Sequence, residues 1–436
     1  MNSRSSMKKS VFALVGAAAL VLPLAACSAG DGGDGGTTIS FLTQNSDQNI
    51  ASAEALIAAF EAENPDISVN LETQPAGTEG DNLMKTKLST DEMDDVFYYN
   101  SGSLLQALNP DQYLVNLSDE AWVADLTDDM KTVVSTENGL YGAPFGTSQA
   151  GAVLYNKPIY EQLGLSVPTS WSEFAANNDA ISAAGIPAII QTYGDTWTSQ
   201  LFVLGDFGNV LAQDPDWAEK YTAGERKYAD EPGLQAFDNQ EEAGKAGWFN
   251  PNFASALYDD GVRMVATGEG AQYPILTGAV SAIAQNYADN VDDVGVFAFP
   301  AQDAADTKLT VWLPNAMYIP KTTEGAELEA SKKFIAFANS AEGCEIQTSV
   351  LSVSGPFATS ACSLPDDVPA LVQDLQVYFD EGNTNPALEF LSPIKGPNLE
   401  NITVEVGSGI RSAADGAALY DDDVKKQAQQ LGLDGW

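Results

Sequence analysis

The sequence predicts an α/β protein built on mostly parallel, doubly wound sheet. Strand and helix signals alternate strand–helix–strand–helix–strand across residues 39–99, the pattern that gives parallel strands with crossover helices. The 436 residues are 44% hydrophobic and 19% charged, so there is ample apolar material for a large core. In such sheets ligands lie beyond the carboxyl ends of the strands, which directs attention to the loops that follow each strand.

Each element has its own local reason. Ile39 and Phe41 alternate with polar residues and lead into Thr43-Gln44-Asn45, a strand and its end. Ile50, Ala53, Ile57 and Phe60 recur at spacings of three and four, one apolar face of a helix that stops before Pro65. Ile67, Val69 and Leu71 form a second strand, residues 82–88 a helix, and Val96-Phe97-Tyr98-Tyr99 a buried strand. Val153-Leu154-Tyr155 opens a second α/β unit, and Lys157-Pro158 starts a helix. Ser170 precedes another helix, and Ile186–Ile190 reads as a buried strand. Later helices are expected near 330–338, 368–379, 402–413 and 423–431.

Composition excludes much chemistry. There are 61 acidic and 20 basic side chains, a formal charge of −41, and no histidine. Phosphate backbones are repelled, so no nucleic-acid partner is expected. Ser-His-Asp and Cys-His catalysis lack their base, and the commonest zinc ligand is missing. No Asp-x-Asp-x-Asp-Gly calcium loop is present, so no metal and no cofactor are expected. The acidic groups Asp292-Asp293 and Asp421-Asp422-Asp423 read as solvated faces and a helix start.

The N-terminus reads as an export signal over residues 1–26. Arg4, Lys8 and Lys9 precede an apolar run, Val11–Leu22, too short to span a bilayer, which takes about 20 residues. Leu24-Ala25-Ala26-Cys27 resembles a bacterial lipobox, implying lipid attachment at Cys27; the alternative is an ordinary secretory signal cut near Ala26. Residues 27–37 read as a flexible glycine tether. Removing the signal takes three positive charges and brings the net charge to −44. Cys344 and Cys362 then remain as a disulfide in an oxidising compartment, or as two separate thiols.

Asp94-Asp95-Val96, Tyr141-Gly142-Ala143-Pro144, Leu154-Tyr155-Asn156-Lys157, Pro168–Phe174 and Tyr318-Ile319-Pro320-Lys321 follow one another along the chain. Their order resembles the extracellular solute-binding proteins of the maltose-binding type. The resemblance implies a two-lobed, periplasmic-binding-protein-like fold, each lobe a mostly parallel sheet flanked by helices, with the ligand cleft between lobes. It places lobe 1 at 38–147 plus 302–350 and lobe 2 at 150–300 plus 355–436. It implies a monomer that captures an oligosaccharide by hinge closure and passes it to ABC permease subunits, touching the membrane only through its lipid. No reaction is implied. A polyamine is the rival ligand, suggested by the negative charge, and a two-carboxylate glycoside hydrolase is the rival of another class.

A sugar offers flat CH faces and rings of hydroxyls, so aromatic platforms and amides near strand ends are the candidates. Trp197 follows the Ile186–Ile190 segment among polar neighbours, and related sugar binders carry a stacking tryptophan near this landmark. Trp312 and Asn315 lie where the chain returns to lobe 1, and Tyr273 in a segment the family turns toward the cleft; simple core packing competes for Trp312 and Tyr273. Gln44, Asn45, Asp47, Asn100 and Ser101 follow the first and third strands, with loop capping as the alternative. Gln149 sits at the first crossing as hinge or ligand contact, and Lys395 is a basic group in a late loop.

Overall fold

The computed structural model describes residues 36–75, 77–350, 353–433 and 435–436. The export signal, Cys27 and the tether up to residue 35 lie outside the described residues. Ten strands make up the main sheets, and the first five of them are β1 (Thr37–Gln44), β2 (Ile67–Gln74), β3 (Val96–Tyr99), β4 (Gly142–Pro144) and β5 (Gln149–Asn156). The next five are β6 (Gln272–Leu276), β7 (Val294–Phe297), β8 (Leu309–Trp312), β9 (Ala316–Tyr318) and β10 (Thr384–Pro386).

Two five-stranded sheets form, one per lobe, beside a small hairpin of Ser135–Thr136 with Gly139–Leu140. The first has the order β2-β1-β3-β9-β4, with β1 parallel to both neighbours and β9 antiparallel to β3 and β4. The second has the order β10-β8-β5-β6, with β7 also on β5; β5 runs antiparallel to β6, β7 and β8, while β10 is parallel to β8. In each sheet a single strand therefore runs against the rest, β9 in one and β5 in the other. Along β5, Ala150, Ala152 and Leu154 enter one apolar cluster while Val153 enters another, so both faces of the strand are covered. That burial explains its uninterrupted apolar sequence.

Three segments cross between lobes: 145–148 between β4 and β5, 313–315 between β8 and β9, and the described stretch 353–369 between helices Ala341–Val350 and Ala370–Asp380. Strand pairing moves two expected boundaries. Leu309–Trp312 hydrogen-bonds to β5, so residues 302–312 sit with lobe 2 and the return to lobe 1 begins only at Leu313. Ala358 packs in the lobe 1 core, the Ala358 carbonyl accepts the Thr127 N–H, and Thr359 bridges Leu126. Residues 355–362 therefore sit with lobe 1, held there by the Cys344–Cys362 disulfide. Lobe 2 resumes by helix Ala370–Asp380, which packs on β7.

Other elements depart from the expectation locally. Within Ile186–Ile190 only Ala188, Ile189 and Ile190 are buried, and only Ile189 makes bridges, to Phe249 and Gln272, because no neighbouring strand runs alongside the whole segment. The expected helix at 402–413 ends at Gly407, and Ala413–Gln430 is one helix that contains 421–423 in its interior. Asp421 is buried there and accepts the Tyr228 and Ala229 amides at 2.8 Å each, so it staples a loop to the helix; it is no solvated face. Burial lifts its carboxyl to about 6.

Candidate functional site

Between the lobes lies a cavity of about 1010 Å³. Its back wall is formed by the crossings, which are laced to one another. The Phe145 N–H donates to the Asn315 carbonyl at 2.9 Å, and the Ser148 N–H to the Pro356 carbonyl at 2.8 Å. Gln347 accepts the Gly146 N–H at 2.9 Å through its side-chain oxygen. Thr147 and Ser354 share a hydroxyl contact at 3.1 Å, and Thr277 donates to the Ser354 carbonyl at 2.9 Å. Gly146 has φ +93°, a region that favours glycine and lets the first crossing turn sharply.

One end of the cavity is aromatic. Trp197 stands on the short turn Thr196–Gln200, half-buried, with its ring 5.6 Å from that of Tyr258 at an interplanar angle of 37°. Asp195 accepts the Tyr258 N–H at 2.7 Å, fixing one aromatic residue to the loop that carries the other. The Tyr193 and Gly194 amides donate to the Phe253 and Ala256 carbonyls, holding that loop against the next. Both rings line the cavity. A tilted pair of this kind offers a broad apolar plate with a polar rim, suited to the CH face of a pyranose.

A second group gathers around Trp312. The residue ends β8 opposite Gln149 of β5, and its indole lies over Gly151, where a Cβ would stand 2.5 Å from Cζ3. Glu389 lies beside this indole and near Lys395, in the lining of the same cavity. Burial pushes the Glu389 carboxyl above the ordinary range, while Lys395 and Trp312 draw it back. Among the described lining residues Glu389 is the only carboxylate, beside Lys85 and Lys395, in a chain with three times as many acids as bases.

Seven of the expected residues line this space: Trp197, Trp312, Asn100, Ser101, Gln149, Asn315 and Lys395. Some are already engaged. Ser101 donates its hydroxyl to the Pro314 carbonyl at 3.0 Å, and Asn315 donates to the Tyr98 phenol at 2.7 Å. Tyr273 is elsewhere: it is 0% exposed, and its hydroxyl meets Thr192 at 2.8 Å inside lobe 2. Gln44 receives a hydrogen bond from Asn49, and Asn45 donates its N–H to the Gln74 carbonyl, so both serve the β1–helix turn. Asp47 is the first residue of helix Asp47–Glu63.

Sequence reasoning missed Asn49, Tyr98, Phe145, Tyr258, Gln347, Glu389 and Phe390, all in the lining. Tyr258 and Asn49 lie at helix starts, positions that a search of strand ends passes over. The acidic Glu389 had no distinguishing pattern among 61 acids.

The family described as bacterial extracellular solute-binding protein matches residues 45–343, more than half of the chain. The chain belongs to that family. This solute-binding protein is 25% identical over 340 residues to the Multiple sugar-binding protein of Streptococcus mutans, covering 74% of this chain and 76% of that protein. It is 24% identical over 139 residues to the Melibiose/raffinose/stachyose-binding protein MelE of Bacillus subtilis, covering 32% and 31% respectively. Among solved structures it is similar to a Chitin oligosaccharide binding protein, with TM-score 0.76 at 20% identity over 91% of this chain and 100% of that one. It is also similar to RafE in complex with raffinose, with TM-score 0.73 at 18% identity over 91% and 99%. These likenesses establish the two-lobed α/β fold of the solute-binding protein. Its task is to hold and release a solute, and no bond is made or broken.

Proposed function

We propose that this solute-binding protein is the receptor of an ABC importer for an oligosaccharide, held at the extracellular face of the membrane by lipid on Cys27. The observation that carries the ligand class is the tilted Trp197–Tyr258 pair facing a cavity of about 1010 Å³ lined mainly by amides, hydroxyls and aromatic rings. That volume is at the upper end of small-molecule sites, about 300–1,000 Å³, and suits a ligand of several rings. The sugar-binding relatives and neighbours named above point the same way.

Trp197 and Trp312 would cover CH faces, and Asn100, Gln149 and Asn315 would direct hydroxyls. Lys395 with Glu389 would hold one hydroxyl between a donor and an acceptor. Ligand touching both lobes favours the closed arrangement, and the permease reads that arrangement. A polyamine is disfavoured by the lining, where two lysines outnumber one carboxylate. A two-carboxylate hydrolase lacks its second acid among the described lining residues.

A thermal-shift and calorimetric panel of raffinose, stachyose, chitin oligosaccharides and spermidine tests this reading. A true ligand at 100-fold excess over Kd stabilises by about 2.7 kcal/mol. Stoichiometric heat with an oligosaccharide and unchanged sugar afterwards is expected. Binding of spermidine alone, or appearance of cleaved product, overturns the proposal.

A further inference from the structure

We infer that Phe390 is an interlobe latch: a lobe 2 side chain that seats on Gly102 of lobe 1 and biases the cleft toward closure before any solute arrives. The inference rests on the solute-binding reading only in that the lobes must move; it needs no particular sugar.

Phe390 ends the turn Leu388–Phe390, directly after β10 of the lobe 2 sheet. Its neighbour Leu388 is buried in the lobe 2 helical core, yet the Phe390 ring packs against the lobe 1 core. The seat is a glycine. A Cβ at Gly102 would lie 2.7 Å from Phe390 Cδ1 and 2.9 Å from the Glu389 carbonyl oxygen, so any side chain there would force the lobes apart. Gly102 adopts φ 67° and ψ −136°, a conformation that favours glycine, and its N–H donates to Val133 at 2.9 Å within lobe 1.

The contact lies close to the pivot. Ser101, one residue away, donates to Pro314 in the second crossing. A small separation at this radius swings the far rims of the cleft through a larger arc. Phe390 follows Glu389, which lines the cavity together with Trp312, Lys395, Asn100 and Ser101, so a shift of Phe390 moves one side of that lining. Phe390 is thus a positioning residue, acting on the solute through the lobe angle.

Small-angle X-ray scattering on the unliganded protein tests the latch. Phe390→Ala and Gly102→Ala should each raise the radius of gyration, while Phe390→Leu, which keeps most of the apolar contact, should stay near the parent value. Melting curves identify any variant that fails to fold. With raffinose as probe, Phe390→Ala should speed dissociation about tenfold, a change on the scale of partial exposure of a phenyl ring. An unchanged radius in Phe390→Ala overturns the latch, as does opening in Gly102→Ala alone, which would make the contact merely steric. If no sugar binds the parent protein but the radii change as stated, the latch stands and the sugar assignment fails.

Discussion

The indole of Trp312 rests on the bare backbone of Gly151, with no room between them for a methyl group: the nearest indole carbon would be 2.5 Å from a Cβ. Two adjacent strands, β8 and β5, thus place this ring in the lining of the cavity. The missing side chain of Gly151 is the space that the Trp312 ring occupies.

Gly151→Ala should displace that ring. The added methyl would meet a large rigid ring and, at 3.1 Å, the Gly205 Cα, so it cannot be absorbed by a flexible tail. Overpacking of this kind costs about 1–3 kcal/mol. Calorimetry with the sugar that binds the parent protein is expected to show affinity lowered roughly tenfold or more, and equal affinity would remove Trp312 from the site.

Trp197 and Tyr273 should separate cleanly. Trp197→Ala strips half of the aromatic plate and is expected to weaken sugar binding by about 1–3 kcal/mol. Tyr273→Phe deletes a buried hydroxyl bonded to Thr192 and should cost about 1 kcal/mol of stability while leaving affinity alone. Denaturant melts and calorimetry on both variants check the pair; a weakened affinity in Tyr273→Phe would return that residue to the site.

Asp206 makes stability depend on pH. Burial raises its carboxyl to about 7, although Asn209 donates to it at 2.7 Å. The folded chain keeps a proton that the unfolded chain gives up near pH 4, so the stabilising contribution is complete below that pH. It declines as pH rises through about 7, by on the order of 4 kcal/mol for the shift involved. Asp421, raised to about 6, acts in the same direction. Asp206→Asn should flatten the pH profile of the unfolding free energy and gain most over the parent at pH 8. A profile as steep as the parent's would rule out Asp206 as its source.

The Cys344–Cys362 bridge closes a loop that carries Gln347 and Ser354, two of the side chains that tie the crossings together. Replacing both cysteines by serine should lower stability by about 3 kcal/mol on the loop-entropy estimate. A melt of the double variant under non-reducing conditions is expected to fall by several degrees. No change would mean that the loop is held by its hydrogen bonds alone.

Much of lobe 1 was legible because its signals are local. The alternation of Ile67, Val69 and Leu71 and the three-and-four spacing of Ile50 to Phe60 each specify an element without reference to the rest of the chain. Trp197 and Trp312 were legible as candidates because a tryptophan among polar or loop-forming neighbours has few other uses. Tyr273 misled because β6 is covered on both faces, so a strand-end position did not imply an open side. Asp421 misled because a run of acids looks solvated until a second segment, here Tyr228-Ala229, brings its amides to it.

The sequence by itself determined the α/β order, the family landmarks and the chemistry excluded by a chain without histidine, since periodicity and composition are properties of neighbouring residues. Only the tertiary structure decided which lobe owns residues 302–312 and 355–362, that Tyr258 completes the plate begun by Trp197, and that Phe390 finds its seat on Gly102. Those relations join positions tens to hundreds of residues apart. They follow from strand pairing and close packing between segments, which no local pattern encodes.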